Sequence, residues 1–432
     1  MTSPTPVWTK RPTAPFLACN RSGLLRWALG LWICTVLWAC QEDSPASTGT
    51  GPAARTEVPD LELPLGSRLP RFAVSGDRLL LSYVLSDTTA GDRLYVRERK
   101  GTDWTDDQLL ASGEHWFVNW ADYPSVRPLG DSLFYHYLAY SGEGTYDYDI
   151  RFVVGGSGGE ARVMHADGVS AEHGFVSSAQ LPDGNLQVSW LDGRHTKEGN
   201  TEPAGAHAHH GGGAMTLRTA TVHPDGSVTD RAELDNRVCD CCNTATVATS
   251  ALTMVAYRDR SSEEVRDISF VVRPRGGEWS APKPVSRENW TVTGCPVNGP
   301  ALAANEEGDM AVAWYTAADG VPAVRFARYD STTRAFGEPI LLDDHDPLGR
   351  LDLRLDSEGR AYVLGLAGGD DRVPLTLWTI DPMGRVDSRA IAAVSAGRST
   401  GFPRLALDGT NGWVAYTDTD RERVVLRKID LR

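Results

Sequence analysis

Short runs of alternating apolar and polar residues, each broken by a tight turn, recur along the chain from residue 60 onward. Leu186-Val188-Trp190 is one such run, and a period of two predicts half-buried strands. The runs come in pairs that end in an aromatic and repeat at a spacing of roughly 52 residues, the range to test first for a propeller. Phe72 to Tyr83 turns at Ser75-Gly76-Asp77, Tyr123 to Tyr137 at Gly130-Asp131, and Phe175 to Trp190 at Pro182-Asp183-Gly184. Thr244 to Tyr257, Pro300 to Tyr315, Leu351 to Leu364 and Leu405 to Tyr416 continue the series.

Two outer strands complete each unit, as Asp267 to Val272 and Ala281 to Val285 do in the fourth. The last unit stops after its third strand at Leu431, and Leu61-Glu62-Leu63 is the segment that would supply the missing one. Closing a ring in this way removes exposed sheet edges. The predicted fold is therefore all-β, a seven-bladed β-propeller, with six blades as the alternative. Separate β-sandwiches would not produce the even period or the missing last strand. Trp190, Trp314, Tyr257, Tyr416 and Trp413 recur at equivalent positions and are read as inter-blade core.

The 432-residue chain carries 43 Lys+Arg against 57 Asp+Glu, a formal charge of -14. That surface excludes nucleic acid and anionic lipid as the main partner. Counts of 43 Gly, 13 Trp and 13 Tyr suit an all-β protein.

Arg21 and Arg26 precede an apolar run from Trp27 to Ala39, too short for a comfortable span and suited to a signal peptide. Leu37-Trp38-Ala39-Cys40 resembles the bacterial lipoprotein box, in which cleavage before the cysteine leaves it to carry the lipid. Gln41 after that cysteine implies, by the same resemblance, outer-membrane delivery. The expected division is a signal peptide over 1–39, the lipidated Cys40 with a Ser/Thr/Gly/Pro/Ala tether to 58, and a propeller over 59–432. The mature protein is then an extracytoplasmic monomer tied to the membrane by its lipid. Cys239, Cys241, Cys242 and Cys295 remain, in an oxidising compartment.

Arg99-Lys100-Gly101-Thr102-Asp103-Trp104, Pro274-Arg275-Gly276-Gly277-Glu278-Trp279 and Thr332-Thr333-Arg334-Ala335-Phe336-Gly337 resemble worn copies of the Asp-box, Ser-x-Asp-x-Gly-x-Thr-Trp. Arg68-Leu69-Pro70 is similar to the Arg-Ile-Pro that opens sialidases. From about residue 60 to its end the chain thus resembles the sialidase-type propellers, a likeness that bears on fold more than on function.

Propeller connectivity puts the start of each inner strand, and the loop after each second strand, on one face. That front face collects Asn119-Trp120-Ala121-Asp122, Glu172-His173-Gly174, Cys239 to Asn243 and Cys295-Pro296-Val297-Asn298. Gly349-Arg350, Arg398, Arg258-Asp259-Arg260 and a long insertion with His207, His209 and His210 join them. Thiolate and imidazole select copper(I) or zinc over magnesium or calcium. In an extended segment Cys239 and Cys241 point the same way and Cys242 the other. The expected ligand set is Cys239, Cys241, Cys295 and His173, with Cys242 as substitute and the His loop as a mobile donor.

Two structural disulfides, or a strained and redox-active pair, are the competing readings of four cysteines. A third reading follows from the resemblance. Sialidases clamp a carboxylate with three arginines, use a Tyr–Glu nucleophile and an Asp acid/base. Arg68, Arg260 and Arg350 or Arg398 are the matching arginines, and Asp122 the matching acid. No Tyr–Glu pair is assigned by motif, and inter-blade ion pairing, for instance of Arg258-Asp259-Arg260 with Glu263, Glu264 and Asp267, accounts for these arginines more simply. Tyr146-Asp147-Tyr148-Asp149 reads as a solvated strand edge or the lining of a sugar site. The leading expectation is a copper- or zinc-binding propeller that handles metal or performs metal-dependent oxidation. The alternatives are a sialidase-like glycoside hydrolase and a non-enzymatic platform binding a small ligand or glycan.

Overall fold

The computed structural model describes residues 60–197 and 213–431. The signal region, Cys40, the tether and His207, His209 and His210 lie outside the described residues.

Seven antiparallel sheets follow one another along the chain, which settles the count at seven blades. The third is typical, running His173–Gln180, Leu186–Asp192, Thr216–Val222 and Val228–Asp235 from the inside outward. Its second strand is buried on both faces because it is sandwiched between neighbouring blades. Trp190 packs there with Phe152 of the second blade, and Trp314 packs with Phe270 across the fourth and fifth. The recurring aromatics are inter-blade core, as the sequence pattern implied.

Closure comes from the N-terminal side of the propeller. Leu61–Glu62 pairs antiparallel with Leu426 and Val425 as the outer strand of the seventh blade. Leu63 is buried beside it with Trp413 and Phe72. One sheet therefore combines strands from both ends of the ring, removing the open edge the last blade would otherwise expose.

The worn Asp-box turns lie at the end of the blades opposite the front face. Gly101 and Gly276 adopt positive φ of 60° and 70° there, which tightens the hairpin between third and fourth strands. Trp104 packs edge-on to Trp413 at 5.6 Å, and Phe336 edge-on to Phe270 at 5.0 Å. These aromatics fasten strands, a packing role.

Candidate functional site

The front mouth is a cavity of about 230 Å³ to which the second, third, fourth and fifth blades and the loop before the seventh contribute. Its wall includes Trp120, Asp122, Tyr146, Tyr148, Glu172, Cys241, Cys295 and Arg398. The convergence expected from connectivity is present.

The thiols gather, with a different membership from that expected. A turn at Asp240-Cys241 replaces the extended segment and swings Cys242 back toward Cys239. The Cys239 sulfur lies 3.5 Å from that of Cys242 and 4.0 Å from that of Cys241. All three Sγ atoms lie within 4.8 Å of one another, an arrangement that could hold a metal ion. The cysteines are free thiols at these separations, well beyond the ~2 Å of a disulfide.

Burial alone would push Cys239 up. Hydrogen bonds from Cys241 and Cys242, and the Arg266 Nη1 donating to its sulfur at 3.1 Å, outweigh it and hold this thiol well below its ordinary value. Cys241 is driven up by donating to Cys239, and Cys242 by burial. Cys295 is exposed, is held down by a hydrogen bond from Cys241, and lines the mouth with it, outside the group of three sulfurs within 4.8 Å of one another.

His173 does not. Its Nδ1 faces the Ala171 carbonyl at 3.1 Å and its Nε2 faces Asp167 at 3.0 Å, with Asp192 at 3.6 Å. The ring stacks on His165 at 3.6 Å. Sharing the blade's front end with the thiols was insufficient, because three carboxylates claim these two imidazoles first: Asp149, Asp167 and Asp192. His173 leaves the expected ligand set and Cys242 enters it.

Nor do the arginines assigned to a carboxylate clamp come together. Arg68 pairs outward with Ser86 and, at 4.0 Å, with Asp92. Arg260 is held by Asp240 at 3.0 Å and Glu264 at 2.8 Å, the ion pairing that competed with the clamp. Arg350 is buried, donates to the carbonyls of Gly397 and Ala396, and lies 4.8 Å over Trp120. Arg398 shares that ring at 5.9 Å and is the one of the four that lines the mouth.

Asp122 is placed in the mouth as expected, and with it a Tyr–Glu pair that no motif marked. The hydroxyl of Tyr148 lies 3.2 Å from Asp122 Oδ2 and 3.0 Å from Glu172 Oε1. Tyr148 is fully buried and stacks on Phe117 at 4.1 Å, which corrects its reading as strand edge. Asp122 Oδ1 accepts the Phe175 N–H at 2.8 Å. Burial raises Asp122 to about 7 and Glu172 well above its ordinary value, the Asp122 charge adding to the latter. One phenol proton cannot serve two carboxylates at once, and burial shifts both carboxyls toward the protonated form that would share this bridge. Gly174 permits the approach, since a Cβ there would stand 1.9 Å from Asp122 Oδ2.

No family model and no curated protein matches the chain. Among solved structures it is similar to the polysaccharide lyase Uly1, at 11% identity over 89% of this chain and 94% of that one, with a TM-score of 0.53. Matches also include the Hadza microbial sialidase Hz136, at 15% identity over 78% and 73% with a TM-score of 0.45. A third is the Penicillium chrysogenum α-L-arabinanase, at 12% identity over 87% and 99% with a TM-score of 0.44. At such identities the likeness to the lyase is one of fold, and it places this chain among propellers without assigning a role to any of its residues.

Proposed function

We propose that this propeller holds a soft transition metal, copper(I) or zinc, at its front mouth. Cys239, Cys241 and Cys242 are the main ligands, and Cys295 is the fourth donor. The observation that carries the reading is the mutual approach of three thiols, two of them buried, around one point. A single thiolate with two thiol donors is what such a site looks like before metal displaces their protons. Arg266 beside Cys239 offsets the charge of the thiolates, and its own partner Glu264 at 2.6 Å keeps it oriented. The exposed Cys295 gives a route by which metal enters or leaves, which suits metal handling or metal-dependent oxidation.

Metal analysis of protein prepared without a His-tag, under reducing conditions, is expected to find one equivalent of copper or zinc. Cys239→Ser and Cys242→Ser should each lower affinity by at least tenfold, about 1.4 kcal/mol. Absence of stoichiometric metal from reduced protein removes the proposal.

The Asp122–Tyr148–Glu172 bridge favours a second reading, a glycoside hydrolase. Two buried carboxyls on one phenol can supply an acid and a base, and Tyr146 offers a face for a sugar ring. In this reading a fluorogenic glycoside panel that includes sialosides is hydrolysed, and Asp122→Asn lowers kcat by roughly 10²–10⁴-fold. Failure to turn over any member removes it.

A further inference from the structure

We propose that the central cavity of the ring, distinct from the mouth, binds a small tetrahedral oxoanion, sulfate or phosphate, through Arg71, Arg127 and Arg404. This cavity measures about 100 Å³ and is lined by inner-strand residues from all seven blades. Trp120 of the mouth stacks at 5.9 Å on Phe402, which lines the central cavity, so an aromatic pair marks the boundary between the two spaces.

The inference rests on charge balance. Arg71, Arg127, Arg354 and Arg404 project from the inner strands of four adjacent blades, and among the described residues Asp352 is the one carboxylate lining the same space. Asp352 is already engaged: Arg354 donates to it at 2.8 Å, and the Leu405 N–H at 2.8 Å. Arg71 and Arg404 flank the Tyr123 ring at 4.5 and 5.1 Å, two guanidiniums on one aromatic. Among the described residues the Arg71 guanidinium makes no hydrogen bond, and Arg127 makes one, from Nε to Ser178 Oγ at 3.3 Å. Burying like charges with unused donors is costly unless something anionic meets them.

Burial and repulsion from Arg404 lower Arg71 to about 9, and burial and repulsion from Arg354 lower Arg127 to about 10, so both remain cationic at neutral pH. His136 nearby is pushed down to about 3 by burial and by Arg71, and contributes no charge. Across the cavity Ser177 bonds Thr244 and Thr246 at 2.7 Å each, a neutral hydroxyl wall. Guanidinium forks on one side and hydroxyls on the other suit the several acceptor oxygens of sulfate or phosphate. The volume admits such an ion.

The test is calorimetric titration of the intact protein with sodium sulfate, and separately with phosphate, in gluconate buffer at constant ionic strength. One saturable site is expected. The melting temperature should rise by on the order of 3 °C at a hundredfold excess over the dissociation constant. Arg71→Gln and Arg127→Gln should each weaken binding roughly tenfold or more. In gluconate alone Arg71→Gln should melt no lower than the parent, since the burial cost and repulsion it removes outweigh the contact with the Tyr123 ring that it gives up. The proposal is overturned if neither oxoanion binds, if both variants bind as tightly as the parent, or if chloride binds as tightly as sulfate.

Discussion

Asp122 is expected to give up roughly 4 kcal/mol of stabilisation as the pH rises from about 4 to about 8. The ordinary value of this carboxyl, 3.8, applies to the unfolded chain, and burial raises it to about 7 in the folded one. The folded state therefore holds the proton more tightly, and its advantage is complete below about pH 4 and lost as pH climbs through 7. Asp122 is 1% exposed, so solvent screening does not shrink the effect. Glu172 is raised for the same reason and acts in the same direction, and the pair titrates as a unit across the Tyr148 bridge. His136, pushed down by burial and Arg71, and Cys239, held below its ordinary value, act in the opposite direction, whereas His165 shares the sign of Asp122. Burial lowers the pKa of His165, but Asp149 and Asp167 outweigh that and lift it above 6.5. Below about pH 4 the balance reverses, because Asp167, held far down by His165 and His173, must then be protonated. Urea unfolding at pH 5 and pH 8 is the measurement. Between pH 5 and pH 8 the wild type should lose more stability, or gain less, than Asp122→Asn does. Parallel pH profiles for the two proteins would show that Asp122 is ionised at little cost.

How much of this was legible in the sequence depends on the length scale over which each feature is fixed. Strand alternation and turn residues are local, so Leu186-Val188-Trp190 and Pro182-Asp183-Gly184 announce their strand and hairpin directly. The closing role of Leu61-Glu62-Leu63 was equally readable, because a missing fourth strand leaves one place for it. Which loops open at the mouth also followed, since connectivity fixes the face on which each loop opens.

What connectivity cannot fix is the path of a few irregular residues. Cys242 turns toward Cys239 because the backbone bends at Asp240, and His173 turns away because Asp167 reaches its ring from a loop in which Ala166 has a φ of 52°. Tyr148 looked like edge because it sits between two aspartates, yet its strand partners and Phe117 bury it. The channel arginines left a signal that was overlooked. Arg71, Arg127, Arg354 and Arg404 each fall on an inner strand, the one strand of a blade whose free edge faces the ring's centre. Four such positions out of seven blades are too many for chance ion pairing when one carboxylate accompanies them.

Arg258→Ala is expected to cost about 3–5 kcal/mol, well beyond a surface substitution. Arg258 is 1% exposed and its guanidinium is spent on backbone oxygens. Nε and Nη2 donate to the Asn298 carbonyl at 2.9 and 2.7 Å, Nη2 also to Tyr315 at 2.7 Å, and Nη1 to Arg266 at 2.6 Å. The plane lies 4.8 Å over Trp290. Truncation would strand two buried carbonyls and one part-buried one and open a void beneath that ring, two costs that add. Arg258→Lys keeps the charge but loses the fork, so it should recover less than half of the loss. The same residue ties the fourth blade to the segment that ends in Asn298 and carries Cys295, and its own carbonyl accepts the Cys239 N–H at 3.0 Å. Metal affinity should therefore fall along with stability in Arg258→Ala, in a way that Arg260→Ala, whose partners are Asp240 and Glu264, does not reproduce in the unfolding midpoint. Chemical unfolding of the three variants, read beside their metal content, separates the two arginines. An Arg258→Ala protein within 1 kcal/mol of the wild type would mean that water replaces the guanidinium at little cost, and that the clamp between the two blades lies elsewhere.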